Sequence, residues 1–279
     1  MSTILIDNEA HLVRIEDLDG LYELLSRVLL LKVNRSEYGI ALKKPEWQSR
    51  SSGAHMVVCE INGERRVVFK RCYDNPDFIR REIMISEAKK MLHLPMYGLE
   101  YVNGLKLRSP ATGRNSSLIE GWDDKNFIAI DFGQRNEMRN LKDLDVTYIK
   151  DMDRFLYSYG KWCSFNYLLG VRDRHGGNFV FSVDKQELHS VDNEEGPFDS
   201  SGRFIGVDDI LVTMKQNIGR FIEGPDRLHR VQEIKRGFIT CWREMGVLKN
   251  SSLKFNDNER KLFESLISNN SESVAALLV

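Results

Sequence analysis

The apolar positions change period along the chain, and each change marks an expected element. Leu18, Leu21, Leu24, Leu25, Val28 and Leu29 recur at helical spacing and predict an amphipathic helix over 17–32. Two strand-like runs, Met56–Ile61 and Arg65–Lys70, flank Asn62-Gly63. That dipeptide suits a turn with positive φ at both central residues, so a hairpin is expected. Residues 77–92 read as a helix with an Asp near its start and Pro95 soon after its end. A short apolar strand over Asn126–Phe132 runs into a polar stretch from Gln134 to Lys142. Beyond it, residues from Ile149 to Leu169 carry helical periodicity that stops at Gly170, a natural C-terminal cap. Runs at Phe179–Ser182 and Leu188–Val191 then enclose the turn Val183-Asp-Lys-Gln-Glu, and helical segments fill 207–222, 226–246 and 257–278. The expected fold class is α+β. A smaller sheet-rich lobe spans 1–135, and a larger helical lobe spans 136–279.

Composition narrows the function classes. The 279 residues carry 40 Lys+Arg against 41 Asp+Glu, a net charge of −1, so no bulk field draws the chain onto nucleic acid or an anionic membrane. A hydrophobic fraction of 42% with 29% charged residues excludes disordered and fibrous classes. Four cysteines without a Cys-x-x-Cys pair argue against a disulfide framework or a zinc ribbon. The N-terminus is acidic where a signal peptide is basic, and the longest apolar run is far too short for a membrane span. A soluble, cytoplasmic protein without stable membrane insertion is expected. Nucleic acid is not an expected partner, because the basic stretch Arg227–Arg236 reads as a solvated helix face. The motifs of P-loop, dinucleotide-binding, nucleophile-elbow and zinc-peptidase proteins are all missing.

The chemistry concentrates in Gly170-Val-Arg-Asp-Arg-His-Gly-Gly-Asn-Phe-Val-Phe and the following His189-Ser-Val-Asp192. Asn178 enters the first strand of a hairpin and Asp192 leaves the second, so the two are expected side by side. An amide oxygen beside a carboxylate is a hard-oxygen site suited to Mg²⁺, which takes its remaining ligands from water and phosphates. Asp173, five residues before Asn178 in a glycine-containing loop, can face the same cavity without ligating the metal. There it could orient an attacking hydroxyl or accept its proton. In the other lobe, Val68 and Lys70 share one face of an alternating strand. A Lys closing the strand neutralises phosphates, while a small apolar residue two places earlier packs on adenine.

Asp173-Arg-His-Gly-Gly-Asn178 followed by Val191-Asp192 resembles the catalytic and metal-binding motifs of the phosphatidylinositol 3-/4-kinase-like superfamily. The resemblance is strong over 165–198 and diffuse elsewhere. It implies a bilobal protein-kinase-like fold, ATP as cofactor, Asp173 as the catalytic aspartate, and Asn178 and Asp192 as Mg²⁺ ligands. It further implies a Glu on the helix after Lys70 to hold that ammonium. Glu82 and Glu87 compete for this role, and the spacing of Glu82 to Leu94-Pro95 resembles the related kinases. Ser49–His55, with Ser52 and Gly53 at its centre, resembles their short phosphate loop, whose backbone N–H groups could cap the β-phosphate. Asp131-Phe-Gly133 spells the protein-kinase metal motif but precedes Asp173 instead of following it. Ile128–Gly133, with Ile130 and Phe132, therefore reads as a strand running into the adenine-contacting hinge. His175 reads as a loop-stabilising residue, and His189 as core or edge.

The segment after Asp192 is acidic, with Glu194, Glu195 and Asp199. A phosphoinositide head group would call for Lys or Arg there. The expected acceptor is a protein hydroxyl or a small polar molecule. A lipid kinase and a nucleotide-binding pseudokinase scaffold are the alternatives.

Overall fold

Eleven strands and seven α-helices are defined among the residues that a computed structural model describes. These are residues 4–6, 11–15, 18–33, 37–43, 54–72, 77–96, 99–102, 107–108, 127–134, 138–193, 195–198 and 201–278. The order is β1 (Ile4–Ile6), β2 (His11–Ile15), α1 (Leu18–Leu29), β3 (Ile40–Lys43), β4 (Ala54–Ile61), β5 (Arg65–Cys72), α2 (Phe78–Met91), β6 (Leu99–Val102), β7 (Leu107–Arg108) and β8 (Phe127–Gln134). It continues with β9 (Met138–Asn140), α3 (Met152–Leu168), β10 (Phe179–Ser182), β11 (Glu187–Ser190), α4 (Asp208–Ile222), α5 (Arg227–Glu244), α6 (Asp257–Ile267) and α7 (Ser271–Ala275). The class is α+β. The chain divides into two units, Met1–Ile79 with Tyr97–Asn136, and Arg80–Met96 with Glu137–Val279.

The first unit is built on a five-stranded antiparallel sheet in the order β3-β4-β5-β8-β6, beside a small sheet in the order β1-β2-β7. Asn62 and Gly63 turn the β4–β5 hairpin with φ of 53° and 71°. Glu64 N donates to Ile61 O at 3.1 Å and closes the turn. Asn62 also ties the turn to its neighbour, accepting on Oδ1 from Gly39 N at 2.7 Å. Strand alternation splits the sheet into two faces. Cys59, Ile61, Val67, Phe69 and Ala129 pack with Leu21, Leu24, Leu25 and Val28 of α1 into one core. Val58, Val68 and Ile130 align on the other face.

The second unit is mainly helical around α3, with the three-stranded sheet β11-β10-β9 on it. Asp151 caps α3 by accepting from Arg154 N at 2.9 Å. Gly160 and Gly237 let α3 and α5 cross backbone to backbone: a Cβ on Gly160 would meet the Ile234 carbonyl, and one on Gly237 the Tyr157 carbonyl. Trp162, Phe165, Phe238, Cys241 and Trp242 fill the core beside this crossing.

Three features depart from the sequence expectation. The polar stretch 134–142 contains a strand, because β9 pairs with β10 through Val180↔Asn140 and Phe181↔Arg139. The segment 257–278 is two helices, since the first ends at Ile267 with Ser268 as its C-cap and Asn270 caps the second by accepting from Glu272 N and Ser273 N. Residues 80–96, expected in the N-terminal lobe, group with the second unit. The cause is packing: Met84, Ile85, Ala88 and Leu92 lie in the α3 core. In addition, Arg80 and Arg81 both bind the Glu259 carboxylate of α6, Arg80 at 2.7 Å. Among the described residues no helix is long and apolar enough to cross a membrane, and Cys59, Cys163 and Cys241 are buried free thiols.

The helix crossing sets a stability prediction. Gly160→Ala and Gly237→Ala should each force two backbones apart and cost more than about 2 kcal/mol. Gly219→Ala, on α4 where a Cβ meets open space, should cost nothing or stabilise slightly. Urea denaturation of the three variants checks the contrast.

Candidate functional site

The site begins where α3 ends. Gly170 adopts φ +59°, and its N–H donates to Tyr167 O at 3.1 Å while Val171 N donates to Asn166 O at 2.8 Å. This pair of bonds is a Schellman cap, which satisfies the last helix carbonyls and reverses the chain. A side chain at Gly170 would also strike Pro197, whose Cγ lies 2.7 Å from the position of a Cβ. The segment after the helix is thus launched in one direction, alongside 195–197, and Arg172 N donates to Glu195 O at 3.1 Å.

Asp173 follows with φ +50°, in the left-handed region that L side chains rarely occupy, and its carboxylate is half exposed. His175 Nε2 lies 3.6 Å from Asp173 Oδ2, and His175 Nδ1 accepts from Gly177 N at 3.0 Å. The imidazole stabilises the loop, in the tautomer that carries its proton on Nε2 when neutral. Asn178 closes the loop. Its amide Nδ2 donates to the Asp173 carbonyl, and to Asp173 Oδ2 at 3.4 Å, which turns Oδ1 away from Asp173. The β10–β11 ladder, with Phe179↔Ser190 and Val191 N donating to Asn178 O at 3.0 Å, brings the chain back beside Asn178. Asp192 follows directly, again left-handed at φ +59°. Asp173 and Asn178 are therefore in hydrogen-bond contact, and Asp192 follows the residue paired with Asn178.

The donor chemistry at this end of the hairpin fits Mg²⁺, with one amide oxygen and one carboxylate, both hard oxygens. Among the described residues no group of three or more His, Cys, Asp or Glu side chains is placed to hold a metal ion. A cation here would take its other ligands from water and phosphate.

Three buried charged side chains hold the segment that carries Asp192; of these only Glu82 was singled out in the sequence, and there as a partner for Lys70 rather than for Asn193. Arg174, 1% exposed, donates from Nε to Arg172 O at 2.8 Å and from Nη1 to Ser190 Oγ and Val191 O, both at 3.0 Å. Its Nη2 donates to the Asp192 carbonyl. Glu82 of α2 accepts from Asn193 N at 3.0 Å and from Asn193 Nδ2 at 3.3 Å. Lys89 of α2 donates to Ser190 O at 2.7 Å and lies 5.3 Å over the Trp162 ring. Burial pushes the Lys89 ammonium down to about 7, with Arg174 adding to the effect and Glu82 opposing it. The Arg174 signal sat inside the loop motif. Lys89 could have been found from its spacing, since it lies on the same helical face as Ile85 and Leu92.

In the first unit, the structure brings Val68, Lys70 and Ile130 onto one sheet face. Val68 is paired with Ile130, and Lys70 with Met56 and Ile128. Lys70 is buried, and Ile130 half-buried. Phe132 lies two residues beyond Ile130 on β8. Ser52 and Gly53 lie outside the described residues, as do Glu194 and Asp199. Lys70 belongs to the first unit, whereas Glu82 and Glu87 belong to the second. Asp131 is occupied structurally. It accepts from Arg65 Nη2 at 2.6 Å and Nε at 3.2 Å, and from Gly133 N at 2.9 Å.

The remaining titratable candidates are structural. Arg230 of the basic stretch donates to Phe221 O and Glu223 O, and His229 pairs with Asp153 at 2.9 Å. His189 is buried on β11. Burial, then the charges of Lys89 and Lys185, push its imidazole down to about 3.

His189 gives a pH prediction. Between about 3 and 6.5 the unfolded chain binds a proton at this residue and the folded chain does not, so stability falls as pH drops through that window. In urea titrations across it, His189→Leu should flatten this acid limb, by up to about 1.4 kcal/mol per pH unit.

The chain matches no protein-family model, and no curated protein matches it at a significant level.

Proposed function

We propose that this chain is an ATP- and Mg²⁺-dependent phosphotransferase with a bilobal protein-kinase-like fold, transferring the γ-phosphate to a hydroxyl of a protein or small polar acceptor. The observation that carries the reading is the geometry of one loop and one hairpin. Asp173 is half exposed, bound to the Asn178 amide, and Asp192 is held next along the returning strand.

The chemistry follows from those positions. The acceptor oxygen attacks the γ-phosphorus, forming a new O–P bond as the bond to the β–γ bridging oxygen breaks and ADP leaves. The hydroxyl proton passes to an Asp173 carboxylate oxygen, the half-exposed group at the site. Mg²⁺, when bound, neutralises charge developing on the phosphates, and Asn178 and Asp192 are the residues that would hold it. Arg174 keeps Asp192 aimed without touching the reactants. On the sequence motifs, Lys70 is assigned to the phosphates, Val68 and Ile130 to the adenine, and Ser52 and Gly53 to the β-phosphate. The acids Glu194, Glu195 and Asp199 disfavour a polyanionic acceptor in the segment after Asp192.

The test is incubation with γ-labelled and, separately, α-labelled ATP with Mg²⁺ and a pool of proteins and polar metabolites. The γ-label should move to a hydroxyl-bearing acceptor. Movement of the α-label would make the reaction nucleotidyl transfer, and ATP binding without transfer would make the chain a pseudokinase. Asp173→Asn should cut turnover about 10²–10⁴-fold while leaving nucleotide affinity within a few-fold. Phosphoinositide vesicles should be poorer acceptors than neutral polar molecules or proteins at matched ATP and Mg²⁺. The reverse order, weakened by added salt, would return the protein to the lipid-kinase alternative.

A further inference from the structure

We propose that Lys89 is a positioning residue for Asp192, so that helix α2 sets the orientation of the metal carboxylate. The inference rests on the phosphotransferase reading for the role of Asp192, and on α2 and β11 geometry for everything else.

A lysine on an apolar helix face normally runs its stem along the core and keeps its ammonium in water. Lys89 does not. It is 6% exposed, and its Nζ donates to the Ser190 carbonyl at 2.7 Å. Burying an ammonium is costly, and a methionine of similar length would pack against Trp162 without that cost. Packing alone therefore gives no reason for lysine at this position. The Lys89 Nζ supplies a donor fixed on one backbone oxygen, two residues before Asp192.

The other contacts show what that donor belongs to. From Ser190 to Asn193, four consecutive residues are gripped by buried side chains. Lys89 takes the Ser190 carbonyl, Arg174 takes those of Val191 and Asp192, and Glu82 takes the Asn193 N–H. The single Ser190 Oγ proton faces two acceptors, Asn193 Oδ1 at 3.1 Å and Asn166 Oδ1 at 3.3 Å. Within this grip Asp192 keeps its left-handed backbone, a conformation that persists where the surroundings over-determine it. Arg174 acts from the catalytic loop. Lys89 and Glu82, two helical turns apart on one face, act from α2. Loss of Lys89 removes one of the three buried side chains that fix the backbone on either side of Asp192, and with it part of what orients that residue.

The full chain is compared with Lys89→Met, which keeps the stem, and Lys89→Gln, which keeps an uncharged donor. Hydrogen exchange reads the Val191 and Asn193 amides. Binding of Mn²⁺ in the presence of a non-hydrolysable ATP analogue reads the metal site. In Lys89→Met those amides should exchange at least about 10-fold faster, with α3 unchanged and the thermal midpoint equal or higher. Mn²⁺ affinity should fall about 10–100-fold, the usual effect of removing a support behind a metal ligand. Metal-free analogue affinity should stay within about two-fold, and Lys89→Gln should recover part of the loss. Unchanged exchange at Val191 and Asn193, or equal loosening of α2 and α3, would overturn the proposal. If the exchange pattern holds but the wild-type chain binds no metal with the analogue, the grip stands and the phosphotransferase reading fails.

Discussion

The guanidinium of Arg174 is the interaction on which the geometry of the loop after α3 and of the strand exit depends. It is almost fully buried and donates to three backbone carbonyls and one hydroxyl, joining the loop after α3 to the strand exit at Ser190–Asp192. A buried charge persists only when its donors are satisfied. The loop and the strand exit are therefore both fixed, since movement of either strands a donor. Removing Arg174 would strip those carbonyls and the Ser190 hydroxyl of one shared donor, so the network is held as a unit.

The same constraint explains where strain appears. Asp173 and Asp192 are both left-handed, and they flank the network at its two ends. Such positions cost free energy and are retained when their neighbours dictate them. The Gly170 cap and the buried Pro197 beside it dictate the entry to the first. Helix α2 dictates the second, and α2 is in turn anchored by Arg80 and Arg81 on Glu259 of α6. There burial opposes ionisation of Glu259, but bonds from Arg80 and Asn256 and the charge of Arg81 hold its carboxyl below the usual range. The chain of support runs from α6 through α2 to the aspartate.

The legible parts of the fold were those with strong local signals. Asn62-Gly63 has the turn chemistry that positive φ requires, Gly170 has a helix-ending conformation, and the Phe179–Ser182 run has a buried strand's composition. The adjacency of Asn178 and Asp192 follows from hairpin geometry alone. The strand Met138–Asn140 was not legible because three residues carry no measurable period. The allegiance of α2 was hidden for the opposite reason. Arg81, Glu82, Ser86 and Lys89 are buried beside its apolar residues, so no polar face marked its outer side. Spacing marks Lys89 as core-facing and the loop motif contains Arg174, but the carbonyls of Ser190, Val191 and Asp192 that they bind are distant in sequence, so their roles were not legible.

The central claim is that Asp192, and not the Asp131 of Asp131-Phe-Gly133, is the metal carboxylate. Asp131 already accepts two bonds from Arg65 and one from Gly133 N. The direct measurement is equilibrium ATP binding titrated with Mg²⁺ for the wild-type chain, Asp192→Asn and Asp131→Asn. Loss of the Mg²⁺ enhancement in Asp192→Asn, with its retention in a less stable Asp131→Asn, is the expected result. Retention in Asp192→Asn and loss in Asp131→Asn would contradict the claim.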